Sequence, residues 1–402
     1  MLESRLVGLI EERLMRLALP VSVKLWNGQS VSPGGQEKLR LTVNSHDALV
    51  SLANPNLGKI ARAYVEGGLD FEGADIREWL RLGEGLTAGD TTKYQKRSDA
   101  WKWWRHTRPA DRKAIQHHYD VGNEFYGLWL DAQRVYSCAY YKSPDDSLDQ
   151  AQAQKLDHIC RKLMLQPGEK FLDIGCGWGG LLLWAVSHYD VTGLGVTLSN
   201  EQFDYVSALI KSKGLEGRCQ VRLMDYRDVA EDRPFDKIAS VGMFEHVGRR
   251  NLPEYFRKIY GLLKPGGLVM NHGITTNSIE DADLGNGIGD FVEEYVFPGG
   301  ELVHVARILS DMSDQGLETW DAECLRPHYA RTLWEWVRRL EERQEDARRI
   351  VGEKLYRTWR IYMAGSAHAF ERGWISIFQI LAARPPADGV IPYPLTRQHL
   401  YR

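Results

Sequence analysis

Residues 169–180 read EKFLDIGCGWGG, and this segment decides the architecture of most of the chain. The apolar run EKFLDI meets Gly175, Gly177, Gly179 and Gly180 and passes directly into the apolar helical run LLLWAV. Glycines at a strand-to-helix turn let backbone approach a bound molecule closely, so a nucleotide-type cofactor is the default reading. Outward from this loop, VTGLGVTL, CQVRLM, FDKIASVG and GGLVMNHG alternate with amphipathic helical stretches. That rhythm predicts a doubly wound α/β sheet, parallel at least through these strands, with its binding site beyond their carboxyl ends.

The chain has 402 residues, which suits about two domains. Hydrophobic residues make up 43%, charged residues 26%, and the formal net charge of −3 names no partner. Five scattered cysteines form no C-x-x-C pair, which argues against a disulfide scaffold or a zinc ribbon and fits a reducing cytoplasm. No apolar run approaches the ~20 residues that span a bilayer, and the acidic MLESRLVGLIEERLMRLALP does not read as a signal peptide. Its leucines recur at helical spacing and predict a core-facing amphipathic helix.

Residues 1–92 predict a small α+β unit: that helix, the strands VSVKLW and LRLTV, and helices around LGKIARAYVEGG and IREWLRL. Residues 93–117 form a linker, and residues 118–402 a catalytic domain. The stretch Lys93–His118 holds eight Lys/Arg against two Asp, with Trp101, Trp103 and Trp104 among them. A solvated linker is the plain reading. A basic, Trp-interleaved stretch also suits anionic lipid headgroups, at ~1 kcal/mol per basic residue near the surface. With no broad basic balance and no nucleic-acid motif, nucleic acid is not an expected partner.

Asp173 just before the first glycine gives D-x-G-x-G-x-G, which resembles the first motif of class I methyltransferases that bind S-adenosylmethionine. The second strand ends in GVTLSNEQ without the acid that holds an NAD ribose; Thr197 and Gln202 stand there instead. HYDVGNEFYGLWLD (118–131), YSCAYY (136–141), FLDIGCGWGG (171–180), GVTLSNEQ (195–202), DYRD (225–228), SVGMFEHVG (240–248) and FPGG (297–300) together resemble the cyclopropane-fatty-acyl-phospholipid synthase family. The resemblance implies a class I methyltransferase (Rossmann-like) sheet with a smaller N-terminal α+β domain that meets lipid.

It also implies transfer of a methylene group from S-adenosylmethionine to the cis double bond of an unsaturated acyl chain in a membrane phospholipid. The olefin is then the nucleophile, and the pocket has to align it, exclude water and remove one proton so that a cyclopropane ring closes. The family's base is a bound bicarbonate ion, whose ligands map onto Cys138, Glu245, His272, Ile274 and Tyr362. Cofactor contacts map onto Tyr136 and Ser137 at the methionine end, with Asp173, Gly175 and Gly177 at the loop. Thr197 and Gln202 fall near the ribose, and Tyr226 and Arg227 near the adenine. No metal is implied.

Each residue has a plainer reading: Glu245 as a helix cap, His272 as a core histidine, Tyr362 as helix packing. Cys324, in a segment read as helical, has no assigned role. NHGITT and Ile361 depart from the family pattern without removing a ligand. A methyltransferase giving methyl-branched or methylene products, or acting on small molecules, is the alternative. A cytoplasmic protein peripherally associated with the inner face of the membrane, and a homodimer, complete the expectations.

Overall fold

The structure is a computed structural model, and it describes residues 2–32, 39–87, 94–95, 106–108, 121–280, 282–391 and 393–401. The chain divides into two units, the first built from Met1–Arg97, Ala282–Pro298 and Val337–Ala369, the second from Ser98–Asp281, Gly299–Trp336 and Phe370–Arg402. This differs from contiguous domains at 1–92 and 118–402. The basic linker at 93–117 lies largely outside the described residues, which there comprise only 94–95 and 106–108.

In the first unit, β1 (Val21–Leu25), β2 (Ser30–Val31), β3 (Leu39–Val43) and β4 (Leu69–Glu72) form a sheet in the order β2-β1-β3-β4. The helix Leu2–Arg16 buries Val7, Ile10 and Leu14 among Val21, Val23, Leu41 and Val43, which is the core-facing role its periodicity predicts. Asn56 and Asp75 accept hydrogen bonds from Lys59 and Glu78 backbone N–H and so start the next helices. Charged contacts recruit the two distant segments: Arg357 donates to the carbonyls of Tyr64 and Leu69 at 3.0 and 3.2 Å and pairs with Asp70 at 2.7 Å, and Glu294 pairs with Arg62. Such contacts leave no local pattern for sequence reasoning to find. A short ladder between β5 (Tyr94–Gln95) and β11 (Asp283–Leu284) completes this unit.

The second unit is a seven-stranded sheet built from β6 (Lys170–Ile174), β7 (Thr192–Thr197), β8 (Cys219–Leu223), β9 (Phe235–Val241), β10 (Leu263–Thr276), β12 (Glu318–Cys324) and β13 (Ile375–Ala383). The order is β12-β13-β10-β9-β6-β7-β8. The five strands read from sequence, β6 to β10, are mutually parallel, while β13 runs antiparallel between β10 and β12. The apolar strands bury both faces: Leu182, Val186, Ile159 and Val206 cover one, and Tyr255, Phe256, Ile259, Ile308 and Met312 the other. Cys324 sits exposed at the end of β12, which corrects the helical reading of its segment. No helix among the described residues is long and apolar enough to cross a membrane.

Candidate active site

The parallel strands β6, β7 and β9 end at a cleft of about 940 Å³ that is open to solvent. The turn after β6 needs its glycines. Gly175 has φ +72°, and a Cβ there would stand 2.6 Å from Met243 Cγ, whereas one on Gly177 (φ +54°) would meet no protein atom within 4 Å. The loop backbone is therefore bare toward the cleft. Asp173 is buried beneath it and accepts the Leu182 N–H at the start of the following helix; burial pushes its carboxyl up to about 7 against the opposing pull of Lys155. Asp173 also lines the cleft, so it both braces the turn and faces the space above it.

Around this loop the cleft is lined by Tyr136, Ser137, Thr197, Gln202 and Tyr226, with Lys155 and Trp178. The Thr197 hydroxyl donates to Gln202 Oε1 at 2.7 Å, so the two residues at the end of β7 form one polar edge. Tyr136 packs its ring against Tyr126, Trp129 and Trp336, with centroids 5.3–5.7 Å apart. Gln152 Nε2 donates to the carbonyls of Val135 and Ser137 at 3.2 and 2.8 Å, and Asp131 accepts the Val135 N–H at 2.8 Å. The YSCAYY stretch is thus clamped by side chains. Arg227 does not line the cleft: its guanidinium lies on Asp225 at 2.6 and 2.8 Å.

Glu245, His272, Ile274 and Cys138 are in the same unit but do not line this cleft, although Val241, Gly242, Met243 and His246, which neighbour Glu245 in sequence, do. Glu245, on a short turn after β9, accepts the Ile274 backbone N–H at 2.7 Å, and its second oxygen is buried without a hydrogen-bond partner. Burial pushes this carboxyl up to about 7, partly offset by the Ile274 N–H. His272, two residues back on β10, has Nδ1 3.2 Å from Gln379 Nε2 and a buried, unpartnered Nε2. Burial first, then Lys155 and Lys162, holds its imidazole well below the ordinary value, so it is neutral. The cluster can thus offer a small polar guest a neutral imidazole and a carboxyl that carries a proton near neutral pH.

Cys138 is fully buried with its thiol directed at the Ala139 and Leu325 carbonyls, and burial pushes it well above its usual value. It is a poor nucleophile in that state. Tyr362 lies on the helix Gln344–Glu371, in the segment that belongs to the first unit.

Lys155 was not anticipated from sequence. It is fully buried on the helix Leu148–Lys162, donates to the Ser137 hydroxyl at 2.9 Å, and burial lowers its ammonium to about 8. The same helix buries Lys162, which pairs with Glu323 at 2.6 Å, while His158 meets Glu323 at 2.8 Å. Charged residues in LDQAQAQKLDHICRK look solvent-facing in sequence, but His158 and Lys162 are buried on Glu323 of β12 and Lys155 on Ser137.

Comparison with known proteins matches residues 106–380 to the mycolic acid cyclopropane synthetase family. A probable fatty acid methyltransferase of Pseudomonas putida is 45% identical over 394 residues, 97% of this chain and 98% of that protein. The cyclopropane mycolic acid synthase MmaA2 of Mycobacterium tuberculosis is 33% identical over 278 residues, covering 67% of this chain and 96% of that one. The solved structure of the cyclopropane synthase MmaA2 from that organism matches with a TM-score of 0.65 over 68% of this chain and 98% of its own. The cyclopropane synthase CmaA1 complexed with SAH and CTAB gives 0.64 at 32% identity over 68% of this chain and 98% of its own. The sheet order, the glycine cleft and these matches agree, and the chain belongs to the mycolic acid cyclopropane synthetase family of S-adenosylmethionine-dependent methyltransferases.

Proposed function

We propose that the protein transfers a methylene group from S-adenosylmethionine to the cis double bond of unsaturated acyl chains in membrane phospholipids, forming a cyclopropane ring. The observation that carries this reading is the buried pair Glu245 and His272 behind the cofactor cleft, each with an unpartnered polar atom. S-adenosylmethionine, when bound, supplies an electrophilic methyl group. A bicarbonate ion, when bound, supplies the base for the proton lost on ring closure.

The protein's own residues serve that chemistry by shape, dryness and protonation. Tyr126, Trp129, Tyr136 and Trp336 pack beside the Ser137 edge of the cleft and keep water from a carbocation on the acyl chain. Glu245, protonated up to about pH 7, would there donate to bicarbonate rather than repel it. Neutral His272 presents a second contact; Cys138, buried and held as a thiol, and Ile274 are proposed as further ligands on family resemblance. Tyr362 is proposed as a further ligand on family resemblance.

The first unit and the basic, Trp-rich stretch at 93–117 are proposed to bring the enzyme to the inner face of the membrane as a peripheral cytoplasmic protein, with a homodimer as its assembly. A second reading, a methyl-branched or methylene product, is favoured by the name of the Pseudomonas putida relative. The test is incubation of purified protein with S-adenosylmethionine and cis-unsaturated phospholipid vesicles, followed by mass and proton NMR of the acyl chains. Ring protons with loss of the olefin support the proposal; a chain one carbon heavier that carries an exocyclic methylene, or a methyl group beside a double bond, supports the second reading, and an unchanged olefin with no added carbon counts against both.

A further inference from the structure

Strand β13 reads ISIFQILAA, and Gln379 is the polar intruder at its centre, fully buried. Burying an amide costs free energy unless its hydrogen bonds are made, so packing alone would favour leucine here. The register explains what the amide meets. His272 on β10 pairs with Gln379 from one side and Glu323 on β12 from the other, so the three residues form one lateral row across three strands. Gln379 Nε2 lies 3.2 Å from His272 Nδ1, while Gln379 Oε1 has no hydrogen-bond partner in the protein. Beyond Gln379 the row ends in an ionic cluster, Glu323 with Lys162 and His158.

We infer that Gln379 is a positioning residue that donates its amide N–H to His272 Nδ1 and so keeps the imidazole proton on Nε2. An amide N–H can only donate. Nδ1 facing it must therefore be the acceptor, and in a neutral ring the proton then resides on Nε2. That atom is buried and otherwise unpartnered, so it is the one His272 presents to a guest. The consequence for catalysis rests on the function proposed above, in which Nε2–H holds an anion; the tautomer itself does not.

The experiment is ¹⁵N NMR of histidine-labelled full-length protein without substrate, with His272 identified by the signal that H272Q lacks. The expected spectrum shows His272 with a protonated Nε2 and a bare Nδ1. Gln379→Leu, which suits an apolar strand and should fold, is expected to give mixed tautomers. Gln379→Glu, the closer match in shape, is expected to draw the proton to Nδ1 once its carboxyl ionises. Turnover should fall about tenfold in Q379L, the scale of one lost hydrogen bond, and further in Q379E, with affinity for S-adenosylhomocysteine unchanged. A structural role predicts the opposite order, with Q379E the milder change.

Wild-type His272 protonated on Nδ1, or a tautomer unmoved in both variants, would overturn the inference. Because the tautomer is read without lipid or methyl donor, it is decided whether or not the wild-type enzyme makes a cyclopropane.

Discussion

Replacing Glu245 with glutamine should make the protein less sensitive to alkaline pH while removing its activity. Glu245 is buried, and its carboxyl is raised from 4.5 to about 7. Below pH 4.5 it is protonated in both folded and unfolded chains, and ionisation costs folding nothing. Between 4.5 and 7 the unfolded chain releases this proton while the folded chain retains it, so stability falls as pH rises. Above about 7 the loss is complete, and 1.36 kcal/mol per pH unit over this interval gives roughly 3 kcal/mol.

Glutamine keeps an oxygen for the Ile274 N–H but cannot ionise; its extra buried donor adds a destabilising offset of ~1–3 kcal/mol that does not vary with pH. The assay is urea unfolding of wild type and E245Q from pH 4 to 9, followed by tryptophan fluorescence. The difference between the two should swing by about 3 kcal/mol in favour of the variant and level off above about pH 7. Asp173 and Lys155 also titrate in this range, but they are common to both proteins and cancel in the difference. A difference that is flat with pH would refute the claim that Glu245 is strained by burial. If E245Q is then the more stable protein at pH 8 and yet inactive, its carboxyl is retained for chemistry rather than for folding.

Gly175→Ala should weaken S-adenosylhomocysteine binding at least tenfold by calorimetry, since a left-handed alanine costs ~1–2 kcal/mol and its Cβ would drive Met243 into the cleft; unchanged affinity would remove the loop from the binding site. Cys138→Ser should retain measurable turnover with a changed dependence on bicarbonate, because the thiol is buried and un-ionised; complete loss of activity with normal folding and cofactor binding would restore a nucleophilic role. Vesicle flotation should show tighter binding to anionic than to neutral phospholipid, with the difference lost at high salt; binding indifferent to both would refute the electrostatic role of the basic stretch.

The parallel core was legible because each strand from β6 to β10 is an apolar run with its own turn signal, and EKFLDIGCGWGG fixes where the cofactor cleft opens. The helix at Leu2–Arg16 and strands β1 and β3 were legible for the same reason of local periodicity. The antiparallel insertion of β13 was not, because ISIFQILAA has the same apolar character whichever way it runs. Residues whose function is set by cross-sheet neighbours were also hidden. Lys155 and Lys162 sit in a helix that reads as polar, and Gln379 in a strand that reads as apolar; their burial and pairing depend on β10, β12 and the helix Leu148–Lys162 meeting in space. The family resemblance places Arg227 near the adenine, but its commitment to Asp225 was not legible.

The central claim is ring closure on an acyl chain, and methyl-deuterated S-adenosylmethionine tests it most directly. Purified protein given this donor and a cis-unsaturated phospholipid should yield an acyl chain that keeps two of the three deuterons as a ring CD2 and has no remaining olefin at that position. A chain carrying all three deuterons as a methyl branch, or two deuterons on an exocyclic double bond, would contradict it.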